Sequence, residues 1–225
     1  YLAEILAPPL MGPYCQNGTV TPLGEHLVGE MMARGMIIEV DHLPQWSYVR
    51  AYELLQAADY PASGSHGRNH DGQLYELGGV STTGFGVCRE AAPGATVQGF
   101  KDKIAFIKSK GGYPAEGFGF DLNGFAGARG PRFGDGVCPI PQTDPITYPF
   151  KSYAGDIELT QPAVGNRQLD FNTEGLVHIG LLPELIEDAR RDAVDPKDIE
   201  PLFRSAEAYI RMWERAEQRA AELGG

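Results

Sequence analysis

Behind Thr21 and Pro22, apolar residues recur at helical spacing: Leu23, Leu27, Val28, Met31 and Met32 would share one face, and Gly35 supplies the stop. A threonine N-cap followed by proline in the first turn is the expected opening of such a helix. An apolar run over residues 36–40 then predicts a strand, and residues 44–58 a second helix with Tyr48, Val49, Tyr52 and Leu55 on a broad apolar face. Residues 61–65 predict a second strand. The alternation repeats with a short helix at 74–77, a strand at 80–85, and a helix at 97–110 built on Phe100, Ile104 and Ile107 and ended by Gly111 and Gly112. A fourth strand at 116–121 closes on the carboxylate of Asp121. Helix and strand in strict alternation imply parallel strands, because each return to the same edge needs a crossover.

The pattern lapses over residues 124–172, a stretch rich in Gly, Pro, Tyr and Thr that predicts an irregular insertion such as a lid or a binding wall. Order returns with a helix over 183–191, another capped by Asp195 and Pro196 and interrupted early by Pro201, and a long amphipathic helix over 205–223. Its apolar side, Ala206, Tyr209, Ile210, Trp213 and Ala216, is expected to pack against the sheet and its helices. One domain spanning 1–225, an insertion at 124–172 and C-terminal helices at 183–223 describe the organisation.

The composition narrows the function classes. A formal charge of −11 repels phosphate backbones and anionic membrane surfaces, which excludes nucleic-acid binding as the main role. No apolar run reaches the about 18 residues of a membrane span. The opening YLAEILAPPLMG lacks the basic start of a signal peptide, and a chain opening at Tyr1 rather than methionine suggests a processed product, a cleaved subunit or a piece of a longer chain. Cys15, Cys88 and Cys138 have no CxxC spacing, which rules out a zinc ribbon or thioredoxin motif. Cys88 and Cys138 each end a Gly-Val-Cys tripeptide in loop-like sequence, so a disulfide between them is expected, and it favours an oxidising, secreted or extracytoplasmic setting. Cys15 would then be free or paired outside this chain.

Two histidines, His42 and His66, each stand just past a predicted strand with one helix between them. A strand, crossover helix and parallel strand take about 30 residues, so both imidazoles fall at equivalent strand ends. In a closed β/α barrel those ends form the catalytic face. A single histidine there is more often a hydrogen-bonded structural residue, whereas two at matched positions point to half of a metal site. The following GSHGRNHDG lets backbone approach a ligand, and places His70 near the rim. His26 reads as a surface residue of a helix and His178 as a capping or packing residue. Asp41 could orient an active-site group, although strand alternation points it away from His42.

Several segments resemble the membrane (renal) dipeptidase family of the amidohydrolase superfamily. TPLGEHLVGEMMARGMIIEVDHL is similar to its GLTPxG…GMxIDxSH segment, YPASGSHG to the strand ending in a Ser-His-Ser motif, and GFGFDLNG to its last barrel strand, GxGSDFDG. LPELIEDARR and SAEAYIRMWERAE are similar to the closing helices. The resemblance implies an α/β fold, the C-terminal half of a TIM-like (β/α)8 barrel. It implies a metal-dependent hydrolase of amide or peptide bonds, with His42 and His66 as metal ligands and Asp121 as the group that takes the proton from the attacking water. It also implies one or two zinc ions, with manganese or iron also fitting such ligands. Arg68, Asn69, His70 and Asn123 become candidate substrate contacts. The chain departs from the family at Asp41 and Gly67, where serines are expected, and at Asn123, where an aspartate is; the family's carboxylate-binding arginine lies further beyond the second histidine than Arg68. The family's His-x-Asp pair and bridging glutamate have no counterpart here, so a second chain or an N-terminal half is expected to carry them. Two alternatives stand beside this one: a non-catalytic structural or regulatory half-barrel, and a hydrolase of an ester, lactone or phosphotriester.

Overall fold

The computed structural model describes residues 18–67, 72–122 and 129–224. Helix α1 (Pro22–Met32) opens on Thr21, whose hydroxyl accepts from Gly24 N at 3.2 Å. Then follow β1 (Ile38–Glu39), α2 (Gln45–Ala57), β2 (Ala62–Gly64), α3 (Gln73–Glu76), β3 (Val80–Thr83), α4 (Ala95–Ser109) and β4 (Gly117–Phe118). The four strands form one parallel sheet in the order β1-β2-β3-β4, so the fold is mixed α/β. The strands are shorter than the apolar runs predict because flanking residues bond elsewhere: Met36 N donates to Met31 O, and Met36 O accepts from the Tyr60 hydroxyl at 2.9 Å.

The two faces of the sheet differ. Ile38, Val40 and Ala62 pack with Tyr52, Leu55, Leu74, Tyr75 and Ile107 of the helices in one buried cluster. Of the alternate positions, Glu39, Ser63, Thr82 and Gly117 are small or polar, Val80 is apolar, and none is fully buried. Parallel sheets covered on both faces read as Val, Ile and Leu on both; this sheet is apolar on one face only.

The final helix, α7 (Ser205–Leu223), follows α6 (Leu182–Asp192) and a 3-10 helix (Pro196–Arg204) that contains Pro201. It runs past the N-terminal ends of the strands: Ser205 meets Gly117, Arg215 pairs with Asp59, Arg219 donates to Ala58 O, and Glu217 and Ala220 lie against Gly35. A cavity of about 360 Å³ separates its first turns from β2, β3 and β4. Its buried seam is Ala208, Met212 and Ala216, which corrects the apolar side expected from sequence: Tyr209, Ile210 and Trp213 are 44%, 49% and 50% exposed. Ala208 and Ala216 flank the fully buried Met212 on this seam, while Tyr209, Ile210 and Trp213 turn outward. Leu23 and Leu27 of α1 and Val49 of α2 are likewise exposed, contrary to the faces expected for them.

The insertion holds two hairpins, β5 (Phe150–Lys151) with β6 (Glu158–Leu159) and β7 (Ala163–Val164) with β8 (Arg167–Gln168), and leads into the one-turn helix α5 (Phe171–Glu174). Phe85, Phe100, Ile146, Phe150, Leu169, Phe171, Leu185 and Ile199 join it to α4 and α6 in a second core. Buried Asp188 anchors this unit, accepting from Arg89, Arg129 and Arg132 at 3.2, 2.9 and 2.7 Å. The Cys88–Cys138 disulfide closes it, as the paired tripeptides predict. Among the described residues no helix is long and apolar enough to cross a membrane.

Candidate functional site

His42 and His66 both stand at the C-terminal ends of their strands, and both imidazoles are exposed. Their ring centroids lie 4.8 Å apart with the planes at 75°. Two imidazoles on one tetrahedral ion, with nitrogens at about 2.0–2.1 Å from it, have centroids roughly 5 Å apart, so this spacing fits a shared ion.

Acidic side chains fix the turn that carries His66. Glu39 Oε1 accepts from Asp41 N at 2.8 Å and from Ser65 N at 3.2 Å, and Asp41 Oδ2 accepts from His66 N at 2.7 Å. Asp41 thereby holds the backbone amide of His66. The ring itself is oriented from β4, since His66 Nδ1 lies 3.0 Å from Gly119 O. A carbonyl can only accept, so Nδ1 carries a proton, and in the neutral imidazole Nε2 then presents its lone pair. Histidine ligands of metals are held by this kind of contact.

Two glycines make the arrangement possible. A Cβ on Gly119 would stand 1.8 Å from Ser65 O and 2.4 Å from Thr82 Oγ1, so only glycine lets the end of β4 come this near to that of β2. The Thr82 hydroxyl donates to the same Ser65 carbonyl at 3.0 Å. Gly67 has φ +74°, and a Cβ there would meet Thr82 O at 2.3 Å. Glycine at position 67 thus has a backbone reason.

Asp121 follows Gly119 by two residues, is exposed, and has φ +54°, a conformation uncommon for a residue other than glycine. The His66 contact to Gly119 brings Asp121 to the same end of the sheet. Arg68, Asn69, His70 and Asn123 lie outside the described residues. His178 is a cap, its Nδ1 accepting from Gly180 N at 3.0 Å, and His26 is exposed on α1. No protein-family profile matches this chain, and neither does any curated protein sequence.

Among the described residues no three His, Cys, Asp or Glu side chains converge as a ligand cluster. The site is thus an imidazole pair with one tautomer fixed, a supporting layer of Glu39, Asp41, Ser65 and Thr82, and a carboxylate two residues from the supporting carbonyl. Sequence reasoning missed Glu39, Gly119 and Thr82 as supports. The acidic Glu39 on an otherwise apolar strand was the one local signal.

A buried polar pair lies on the helix-covered side of the sheet. Tyr75 donates to Glu116 Oε1 at 2.5 Å, and burial pushes the Glu116 carboxyl above its ordinary range.

Proposed function

We propose that this chain is the C-terminal half of a (β/α)8 barrel and contributes His42, His66 and Asp121 to a metal-dependent hydrolase of amide or peptide bonds. One observation carries the reading: His66 Nδ1 is engaged by Gly119 O, and the ring centroids of His66 and His42 lie 4.8 Å apart, a spacing suited to a single ion. A zinc ion, or manganese or iron, when bound there supplies acidification of water and polarisation of the scissile carbonyl. Asp121 accepts the proton of the attacking water and returns it to the leaving amine. Glu39 and Asp41 keep the His66 turn fixed while this happens.

Two imidazoles fall short of a full ligand set, and the remaining ligands belong to a second polypeptide or a further segment carrying a His-x-Asp pair and a bridging glutamate. Three features support such a partner. Among the described residues the outer edges of β1 and β4 pair with no strand. The face of the sheet that carries Glu39, Ser63, Val80, Thr82 and Gly117 is not fully buried, which leaves it open to a further layer. The exposed Tyr209, Ile210 and Trp213 of α7, with Tyr209 lining the cavity on that face, form a patch that a second half would cover.

Among the described residues no third ligand joins the pair, and a second reading stands beside the first: a non-catalytic half-barrel that keeps the fold of an enzyme. Metal analysis separates the two. The catalytic reading expects the native protein to carry zinc, manganese or iron, to lose it in His42→Ala and His66→Ala, and to cleave dipeptides. Metal bound elsewhere sinks it; retained metal with activity only on esters, lactones or phosphotriesters would move the substrate class.

A further inference from the structure

Glu116 stands immediately before β4, is 1% exposed, and faces the helix-covered side of the sheet. The register that pairs Thr82 with Gly117 sets it level with Ser81 on that side. The Tyr75 hydroxyl of α3 donates to Oε1, while Oε2 is buried with no hydrogen-bond partner among the described residues. Few titratable or charged groups act on this pair: Lys103 of α4, whose ammonium stands 5.3 Å over the Tyr75 ring, and Tyr52 of α2 on the far side of Tyr75. One hydroxyl falls short of what a carboxylate, with about four acceptor positions, needs away from water. A proton on the carboxyl removes that demand and gives Oε2 a hydrogen to donate.

The same stretch of chain reaches the imidazole pair. Three residues beyond Glu116, Gly119 O lies 3.0 Å from His66 Nδ1, with Ser65 O so near that a Cβ would not fit. Among the described residues β4 pairs on one side only, through Gly117 and Phe118. A two-residue edge strand is a part of the sheet that opens at low cost. We propose that Glu116 is a proton-operated latch: protonated, it holds β4 against α3 and keeps Gly119 O on His66; ionised, it draws β4 away and weakens that contact. Burial pushes the carboxyl above its ordinary range, with the Tyr75 bond and Lys103 opposing, so release comes as pH rises past that range. As regulation of a metal site the latch rests on the reading given above; the coupling of Glu116 to the His66 contact does not, and it is measurable without metal.

Carbon-13 NMR of the metal-free 225-residue chain follows the Glu116 carboxyl and the Gly119 carbonyl through one pH titration. The Gly119 signal should step at the Glu116 midpoint, in the direction of a lost hydrogen bond as pH rises, besides any step at the midpoint of the His66 ring. Glu116→Gln should remove the first step and leave the second. Tyr75→Phe and Lys103→Met each take away a group that favours the ionised carboxyl, so each should move the Glu116 midpoint up and carry the Gly119 step with it. Lys103 is only half-buried, so its replacement spares the core. A Gly119 step that persists in Glu116→Gln, or that stays in place while the Glu116 midpoint moves, would overturn the proposal. So would a Glu116 carboxyl that titrates in its ordinary range or without any response at Gly119.

Discussion

Gly119→Ala tests whether the strand ends meet as described. The added Cβ would stand 1.8 Å from Ser65 O, and Cβ atoms essentially never approach closer than 3.0 Å, so β4 and β2 must part by at least 1.2 Å, the difference of the two. The 3.0 Å contact from His66 Nδ1 to Gly119 O would then exceed hydrogen-bonding distance. Overpacking of this kind costs about 1–3 kcal/mol, and the lost hydrogen bond about 1 kcal/mol. Loss of the group that orients a histidine ligand lowers metal affinity roughly 10- to 100-fold. Denaturant unfolding reads the first effect, and competition against a chromogenic zinc chelator the second. Gly99→Ala is the control: nothing lies within 4 Å of its Cβ position in the middle of α4, and it should stabilise by about 1 kcal/mol. A Gly119→Ala protein as stable as the parent, with unchanged zinc affinity, would refute the proposed support of His66.

Three further outcomes follow from other parts of the molecule. Removing the disulfide with Cys88→Ser and Cys138→Ser opens a loop with a separation of 50 residues and should cost about 4 kcal/mol of unfolding free energy; a loss below about 1 kcal/mol would mean that the insertion is held by its cores alone. Because burial raises the Glu116 carboxyl, the folded state holds that proton more tightly than the unfolded chain, and stability falls as pH rises from about 4.5 toward the raised value. Glu116→Gln should therefore gain stability relative to the parent as pH rises through that window, and a relative gain on acidification would contradict the burial account. Trp213→Glu should leave the isolated chain's unfolding within about 0.5 kcal/mol of the parent, since the ring is half exposed, yet weaken partner binding by about 2 kcal/mol in a pull-down titration; unaltered binding would remove α7 from the interface.

Much of the fold was legible because its signals are local. Thr21 caps α1, Asp195 and Asp198 form a capping box, and the alternation of apolar runs with helical faces gave the order of the first eight elements. The hairpins of the insertion were not legible, since strands of two residues carry no periodicity. The phase of α7 misled because its aromatic and branched residues, Tyr209, Ile210 and Trp213, face outward while the buried seam runs through Ala208, Met212 and Ala216. At the site, His42 and His66 stood out by position. The need for glycine at 119 did not, because it comes from Ser65 and Thr82, which are distant from it in sequence. Asp41 was noticed, but its bond to the amide of His66 joins residues 25 apart in sequence.

The half-barrel claim is tested most directly by native mass spectrometry of the protein purified without chelators, with metal content read from the same sample. The account predicts that the 24.4 kDa chain travels with a second polypeptide or segment that carries a strand-end His-x-Asp motif. It also predicts that the assembly holds metal which His66→Ala releases. A stable 24.4 kDa monomer that is catalytically active with nothing bound would contradict it.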